Sequence, residues 1–459
     1  MNLTKRVGFL TGAAALVLTG GSFADTTSQE TNQQLRARVA DLESRLAAVE
    51  KGDNWLNEQR ADEVRGLVRD VLADADTRAS LLAQGMTAGY DNGAVIASAD
   101  GNWMLRTNIL MQQRFVLNTQ DAGDGSVNPD DDRWGFENTR TKFILTGNVV
   151  SPDWFYRVDI NVGSPDAVRA GDSRAGTQNA YLGYDYGNGW KVLLGSMKAP
   201  LLREELVEAQ HQLAVERSNV NYIYTTGYVD GVALDYMGDQ FHVTAALSDG
   251  LSSGQTVWST PDTEFALTAR VEWLAQGTWD QFTDFTSPNG DERGILVGGA
   301  IHYESLEDDP GTGLPDADIF ILTVDGSFEF GGWNGFAAFI YTDLQDLLAA
   351  GVDTNALGLL FQGGYYLNDN WELFGRYEWS DFDTVGVEDL SIFTVGVNRY
   401  FAGHNAKWTT DISFGLDEID ADLTALGPVG ATGAITGFRA DNPGEDGQVV
   451  IRSQVQILF

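Results

Sequence analysis

The side chains with which this chain can act are charges, because the groups that bond chemistry needs are almost missing. There is no cysteine in 459 residues, which excludes disulfides, zinc thiolate centres and cysteine nucleophiles. The four histidines, His211, His242, His302 and His404, are scattered, and no Gly-x-Ser-x-Gly nucleophile elbow occurs. Neither catalysis, a metal centre nor a cofactor is therefore expected. The acidic runs Asp130-Asp131-Asp132, Glu307-Asp308-Asp309 and Asp417 to Asp422 hold oxygen ligands that suit Ca²⁺. None has the spacing of a calcium loop, so they read as solvated surface. Two sets of charges remain. Arg106, Arg114, Arg140, Lys142, Arg157, Arg376, Arg399 and Arg452, with Asp159, Glu372, Glu378 and Asp411, stand at alternate positions of strand-like stretches. Arg203, Glu204, Glu205, Glu208, Glu216 and Arg217 crowd one connection between two of these stretches. A basic wall facing an acidic loop sets up a transverse field that orients ions and dipolar solutes, and selectivity of that kind makes no covalent bond. The other reading is that wall charges pair with one another for solvation. Arg203 and Arg217 read as tethers of the loop to the wall.

The elements that must position these charges are strands. From Gly101 onward the periodicity is two, and successive residues of a strand point to opposite faces. In the last stretch Ile451, Val455, Ile457 and Phe459 fall on one side, with Arg452, Gln454 and Gln456 on the other. The stretch at 153–163 sets Trp154, Tyr156, Val158 and Ile160 against Arg157, Asp159 and Asn161. An apolar, ring-rich face opposite a charged one is the inside-out polarity of a lipid-facing barrel. Sixteen such stretches run from 102–118 to 448–459, an even number, and predict an all-β membrane barrel over 101–459. Short turns such as Gly187-Asn188-Gly189 and Asn368-Asp369-Asn370 fall at one end. Long connections, 119–133, 200–226 and 418–447, fall at the other. The stretch 274–293 breaks this order, and marks either a mis-assigned strand or an unusual inner turn.

Ahead of the barrel, 1–24 has a basic start at Lys5 and Arg6, an apolar run and Ser22-Phe23-Ala24, which reads as a secretory signal peptide. No later run approaches the ~20 apolar residues of a spanning helix. Residues 25–84 read as helical, and Leu35, Val39, Leu42, Leu46 and Val49 follow the 4-3-4-3 spacing of a coiled-coil seam. Residues 85–100 read as a linker. The formal net charge is −37, and loss of the leader's Lys5 and Arg6 makes it more negative. Nucleic acid is thereby excluded as a partner, since phosphate binding needs clustered Lys and Arg. The expected surroundings are outer-membrane lipid in a diderm bacterium, reached by Sec-type export.

The segment Gly195-x-x-Lys198-x-Pro200, then Glu204-Glu205-Leu206, then Glu216-Arg217-Ser218-Asn219 resembles the phosphate-selective porin O/P family, in which these anchors recur in this order after a strand. Phe136 to Phe143, with Arg140 and Lys142, a basic strand followed by a Pro-containing turn and an aromatic strand, looks like the family's second and third strands, and the helical prefix is similar to that of planctomycete-type porins. The resemblance implies a homotrimer of sixteen-stranded general or anion-selective diffusion pores for small hydrophilic solutes or ions, with the third outer loop, 200–226, folded into the lumen. The charge balance departs from it: 29 Lys and Arg against 66 Asp and Glu is the reverse of a phosphate pore, so anion specificity is not carried over. A structural alternative is an envelope tether, in which the helical prefix reaches the cell wall and the barrel is the anchor. Replacing Leu35, Leu42 and Leu46 by Asp is expected to weaken the trimer or its wall attachment while the barrel still folds. Unchanged oligomer size together with unchanged envelope fractionation would refute a role for the seam.

Overall fold

In the computed structural model the described residues are 36–44, 85–121, 132–163, 176–250, 263–306, 316–346, 353–383, 389–419, 436–441 and 445–459. Contacts divide the chain into one unit ending at Arg106 and another from Thr107 to Phe459. The first unit contains a helix at 36–44, α1, with Val39 half-buried and Leu42 exposed. The signal sequence, the second predicted helix and the seam positions Leu35, Leu46 and Val49 lie outside the described residues. The stretch 85–100, read above as linker, instead forms a hairpin of β1 (Met86–Tyr90) and β2 (Ala94–Ser98). Its turn holds Asn92 and Gly93, both at positive φ, and an Asn-Gly pair between short strand-formers is a strong local hairpin signal. Among the described residues no helix is long and apolar enough to cross a membrane.

Sixteen antiparallel strands follow. They are β3 (Met104–Thr119), β4 (Arg133–Val149), β5 (Ser151–Asn161), β6 (Gly176–Gly187), β7 (Trp190–Lys198), β8 (Tyr228–Met237), β9 (Phe241–Ser248) and β10 (Thr263–Gln276), then β11 (Gly294–Leu306), β12 (Ala317–Phe330), β13 (Trp333–Gln345), β14 (Thr354–Asn368), β15 (Trp371–Phe382), β16 (Leu390–Tyr400), β17 (Ala406–Gly415) and β18 (Val449–Leu458). Each pairs with the next in the chain, and β18 returns to β3, with Val449 opposite Thr119 and Leu458 opposite Leu110. The closure is finished by the last residue: Ile109 N–H donates to the Phe459 carbonyl at 2.7 Å, and Phe459 N–H donates back to Ile109 at 3.1 Å. A closed sheet leaves no edge of unpaired donors and acceptors.

The faces separate by polarity. On β12, Thr323, Asp325, Ser327 and Glu329 are buried while Val324, Phe328 and Phe330 are exposed. Exposed-face rings pair across strands toward both ends of the barrel. Trp154 meets Tyr184 at 4.8 Å, Trp190 meets Tyr236 at 4.8 Å and Trp333 meets Tyr365 at 4.2 Å toward the short-turn end. Phe265 and Tyr303, 5.7 Å apart, do so toward the other. Aromatic belts bounding an apolar band are what a bilayer selects on a strand-built wall.

The connection that broke the sequence pattern is an unusual inner turn. β10 and β11 are adjacent, with Gln276 opposite Ile295, so no strand was mis-assigned. Residues 277–293 carry a 3₁₀ turn at Trp279–Thr283, where Gln281 accepts from Thr278 N–H at 2.9 Å. Val324 stands in the middle of β12 on the exposed face. Val324→Arg is expected to cost about 2–4 kcal/mol, the penalty of a basic side chain at the mid-bilayer level of a barrel, read by urea unfolding in lipid. A change near zero would refute lipid contact at this face.

Candidate functional site

The site is built around the 199–227 connection from β7 to β8. β7 leads into it through Gly195, whose φ is +128° and where an added Cβ would lie 2.3 Å from the Ala180 carbonyl oxygen. Only glycine fits there without displacing the neighbouring strand. The connection then forms α2 (Arg203–Leu206), a 3₁₀ turn at Ala209–His211 and α3 (Asn219–Tyr224). Ser218 caps α3, its Oγ accepting from Asn221 N–H at 2.8 Å. Leu201, Leu202, Val220, Ile223 and Tyr224 pack against Ile319, Ile321, Ile340, Leu344, Phe382 and Ile392, which belong to the buried sets of their strands. Val207, Leu213 and Ala214 pack with Phe336, Leu360 and Phe374, and with Phe285 of the inner turn.

Charges and amides attach the same segment to the wall. Glu216 meets Arg114 at 2.6 Å and Arg140 at 2.8 Å, and accepts from the Tyr222 hydroxyl at 2.9 Å. Burial alone would raise its proton affinity; Arg140 and Arg114 override that and hold the carboxyl well below the usual carboxylate range. Arg376 donates to the Glu216 carbonyl at 2.7 Å and lies 3.6 Å from Glu204 and 2.9 Å from Glu378. Asp411, held by Arg452 at 2.8 Å, accepts from Val215 N–H at 3.0 Å. Lys407, Asn398 and Gln456 donate to the carbonyls of Gln212, Leu213 and Gln210. Glu372 accepts from Asn334, Asn398 and Tyr400. Arg203 donates to the Phe282 carbonyl at 2.6 Å and to Ser327 at 3.0 Å, and faces Glu272 at 3.5 Å. Arg217 turns back on its own segment, bonding the carbonyls of Glu204, Glu205 and Val207 and pairing with Glu205 at 3.3 Å.

A second group sits beside β5. Arg157 pairs with Asp159 at 2.8 Å and with Glu208 at 2.6 Å, and Lys142 lies 4.0 Å from Asp159. The Glu208 carboxyl is held below its usual range, with burial outweighed by Lys198, Arg157 and Lys142. Arg157 and Glu208 each keep 21% of their side-chain surface, whereas Arg114, Arg140, Glu216, Arg376, Glu378, Arg452 and Asp411 keep 2% or less.

The strand alternation thus brings most of the expected charges together, with two exceptions. Arg106 is engaged by Asp91 at 2.8 Å. Arg399 does not line the interior: on β16 the buried set is Ile392, Thr394, Asn398 and Tyr400, and Arg399 falls with Phe393 and Val395. Its guanidinium lies over Trp371 at 5.2 Å and Phe401 at 5.6 Å, the way a basic side chain at a strand end reaches a membrane interface. Arg270 and Lys198 are among the buried charges that were not expected on the wall. Arg270 bonds both oxygens of Asp325, at 2.8 and 2.9 Å, and Glu272 as well. Lys198 pairs with Glu205 at 3.4 Å. Arg270 and Glu272 show the same alternation as their counterparts on β5, so the signal was there to be read.

A closed sixteen-stranded barrel, apolar and aromatic outside and laced with charge on its buried face, defines an outer-membrane channel architecture. Residues 111–288 match the family described as phosphate-selective porin O and P, which bears out the resemblance drawn from the Gly195 to Asn219 anchors. The fold is similar to that of an anion-selective porin from Comamonas acidovorans (TM-score 0.54, 11% identity, 78% of this chain and 100% of that one). It is also similar to the outer membrane channel DcaP of Acinetobacter baumannii (TM-score 0.51, 14% identity, 81% and 100%). An uncharacterized protein of Aquifex aeolicus is 24% identical over 268 residues, a match covering 53% of this chain and 63% of that relative's length.

Glu216→Gln leaves Arg114 and Arg140 buried without their carboxylate and is expected to destabilise the protein by about 3–5 kcal/mol, the usual cost of removing one partner of a buried pair. A group whose folded pKa is depressed contributes stability above its unfolded pKa and loses it as pH falls through the folded value. The contribution of Glu216 should therefore be complete at neutral pH, begin to fade as pH falls through about 4.5, and go on falling toward the lower folded value. Urea midpoints of wild type and variant across pH 2–7 check this, and curves that stay parallel down to pH 2 would count against it.

Proposed function

We propose that this protein is an outer-membrane porin through which ions and small hydrophilic solutes diffuse passively, with 199–227 acting as an inward-folded constriction loop. The observation that carries the reading is the contrast between two sets of charges. Those of β15 to β18 are consumed in holding the segment, while Arg157 and Glu208 keep surface on the β5 side. Water and ions follow the charges that remain hydrated, so the passage is assigned to the β5 side of the segment. Channel rather than enzyme is the role consistent with the family match and with charges paired for positioning. A homotrimer, Sec-type export and a cell-wall contact through the helical prefix belong to the same proposal.

Selectivity follows from the pairing. Arg157, Lys142 and Lys198 stand beside Glu208, Asp159 and Glu205, so fixed charges nearly balance at the constriction. The acidic excess of the whole chain acts at the mouths, within a Debye length of ~10 Å at 0.1 M salt and ~3 Å at 1 M. A weak preference for cations at low salt that fades at high salt is the expected outcome, and planar-bilayer reversal potentials across a salt gradient measure it. A strongly anion-selective potential, or saturable block by micromolar phosphate, would refute it. Arg157→Gln is expected to shift the reversal potential toward cations and Glu208→Gln toward anions, each with a change in conductance. If neither substitution moves it, the passage does not run past this pair.

A further inference from the structure

The inner turn that interrupted the sequence pattern borders a second site. At the short-turn end of the barrel a cavity of about 310 Å³ is lined by Asp280, Asp284 and Asp291 of that turn, by Glu329 of β12, by Asp369, and by Tyr366, Tyr400 and His404. Five carboxylates line it and neither Lys nor Arg does. Asp284 is engaged by His404 at 3.3 Å and accepts from Thr286. Burial, and to a lesser degree the nearby Asp284, raises the proton affinity of Asp291.

The decisive group is Glu329. Its side chain is 2% exposed, it borders the cavity, and its Oε2 has no hydrogen-bond partner. The β12 alternation turns it to the buried face, while the neighbouring arginine, Arg203, spends its donors on the Phe282 carbonyl and Ser327. A buried carboxyl oxygen left without a donor is costly, and a cationic donor placed in the cavity would satisfy it and favour the ionised form. Tyr366 and Tyr400, stacked 5.5 Å apart at 15°, add ring surface of the kind that attracts organic cations. Among the described residues there is no group of three or more side chains arranged to hold a metal ion, and the volume is that of a small organic ligand, pockets for which start at roughly 300 Å³.

We propose that this cavity is a binding subsite for a small organic cation bearing an ammonium or guanidinium group, which donates to Glu329 and is flanked by Asp284 and Asp291. The subsite rests on the pore reading only for how the cation arrives, so binding and conduction are tested separately. Agmatine, which carries both cationic groups, is titrated calorimetrically into the purified full-length protein at 0.1 M salt, with 1,4-butanediol as the uncharged probe and MgCl₂ as the metal alone. Saturable binding of agmatine, none of butanediol, and at least a tenfold loss of affinity in both Glu329→Gln and Asp291→Asn are expected. Asp291 lies on the turn, so its variant tests the site where Glu329→Gln disturbs folding, which heat-modifiable migration reports. Absence of saturable binding, equal affinity in the variants and wild type, or displacement of agmatine by stoichiometric Mg²⁺ would each overturn the proposal. Normal conductance without agmatine binding refutes the subsite alone, and binding without conductance refutes the pore alone.

Discussion

Hydrocarbon offers no hydrogen bonds, so every backbone donor and acceptor of a spanning strand must find its partner within the protein. The meeting of β18 with β3 meets that requirement for the whole wall, and the Ile109 and Phe459 backbone bonds complete it. Everything else follows from closure. Once the sheet is a ring, one face of every strand looks outward to lipid and the other inward. The period of two in the sequence thereby becomes a separation of rings and aliphatics from charges.

A ring of sixteen strands encloses more space than its own side chains fill, and the charges on its inner face would each need hydration or a partner. Here they are largely partnered by one segment. Glu216 between Arg114 and Arg140, Asp411 between Arg452 and the Val215 amide, and Arg376 against Glu204 and Glu378 turn a basic wall and an acidic loop into a set of clamps. The sequence reading weighed a transverse field against mutual pairing, and at these positions pairing prevails. A carboxylate buried within 3 Å of two guanidiniums projects little net charge beyond them. Arg157 and Glu208, paired with each other at 2.6 Å, are the pair that keeps more of its side-chain surface.

This is also where composition departs from the family that residues 111–288 match. The family is described by selectivity for phosphate, yet the chain carries more than twice as many acidic as basic residues. The basic residues are not spread over an open lumen; Arg114, Arg140, Arg376 and Arg452 are committed to carboxylates at short range. A guanidinium already paired on two sides has little left with which to hold a passing anion.

By itself the sequence determined the strands, their alternation and their even number, because each rests on local periodicity and on turn residues. It also marked the segment from Gly195 to Asn219 and the irregular stretch at 274–293. It misplaced Arg399, where a one-residue error of parity moves a side chain to the opposite face, and it passed over the Asn92-Gly93 hairpin. What only the tertiary structure decided is which charges meet. Arg114 and Gln454 lie 340 positions apart, and Glu216 reaches wall arginines from two different strands. Such partners are set by the register of ring closure and by the packing of Leu201, Val220 and Tyr224 on the wall. Neither quantity is written in any local window of the chain, because both depend on strands that become neighbours only after the barrel has closed.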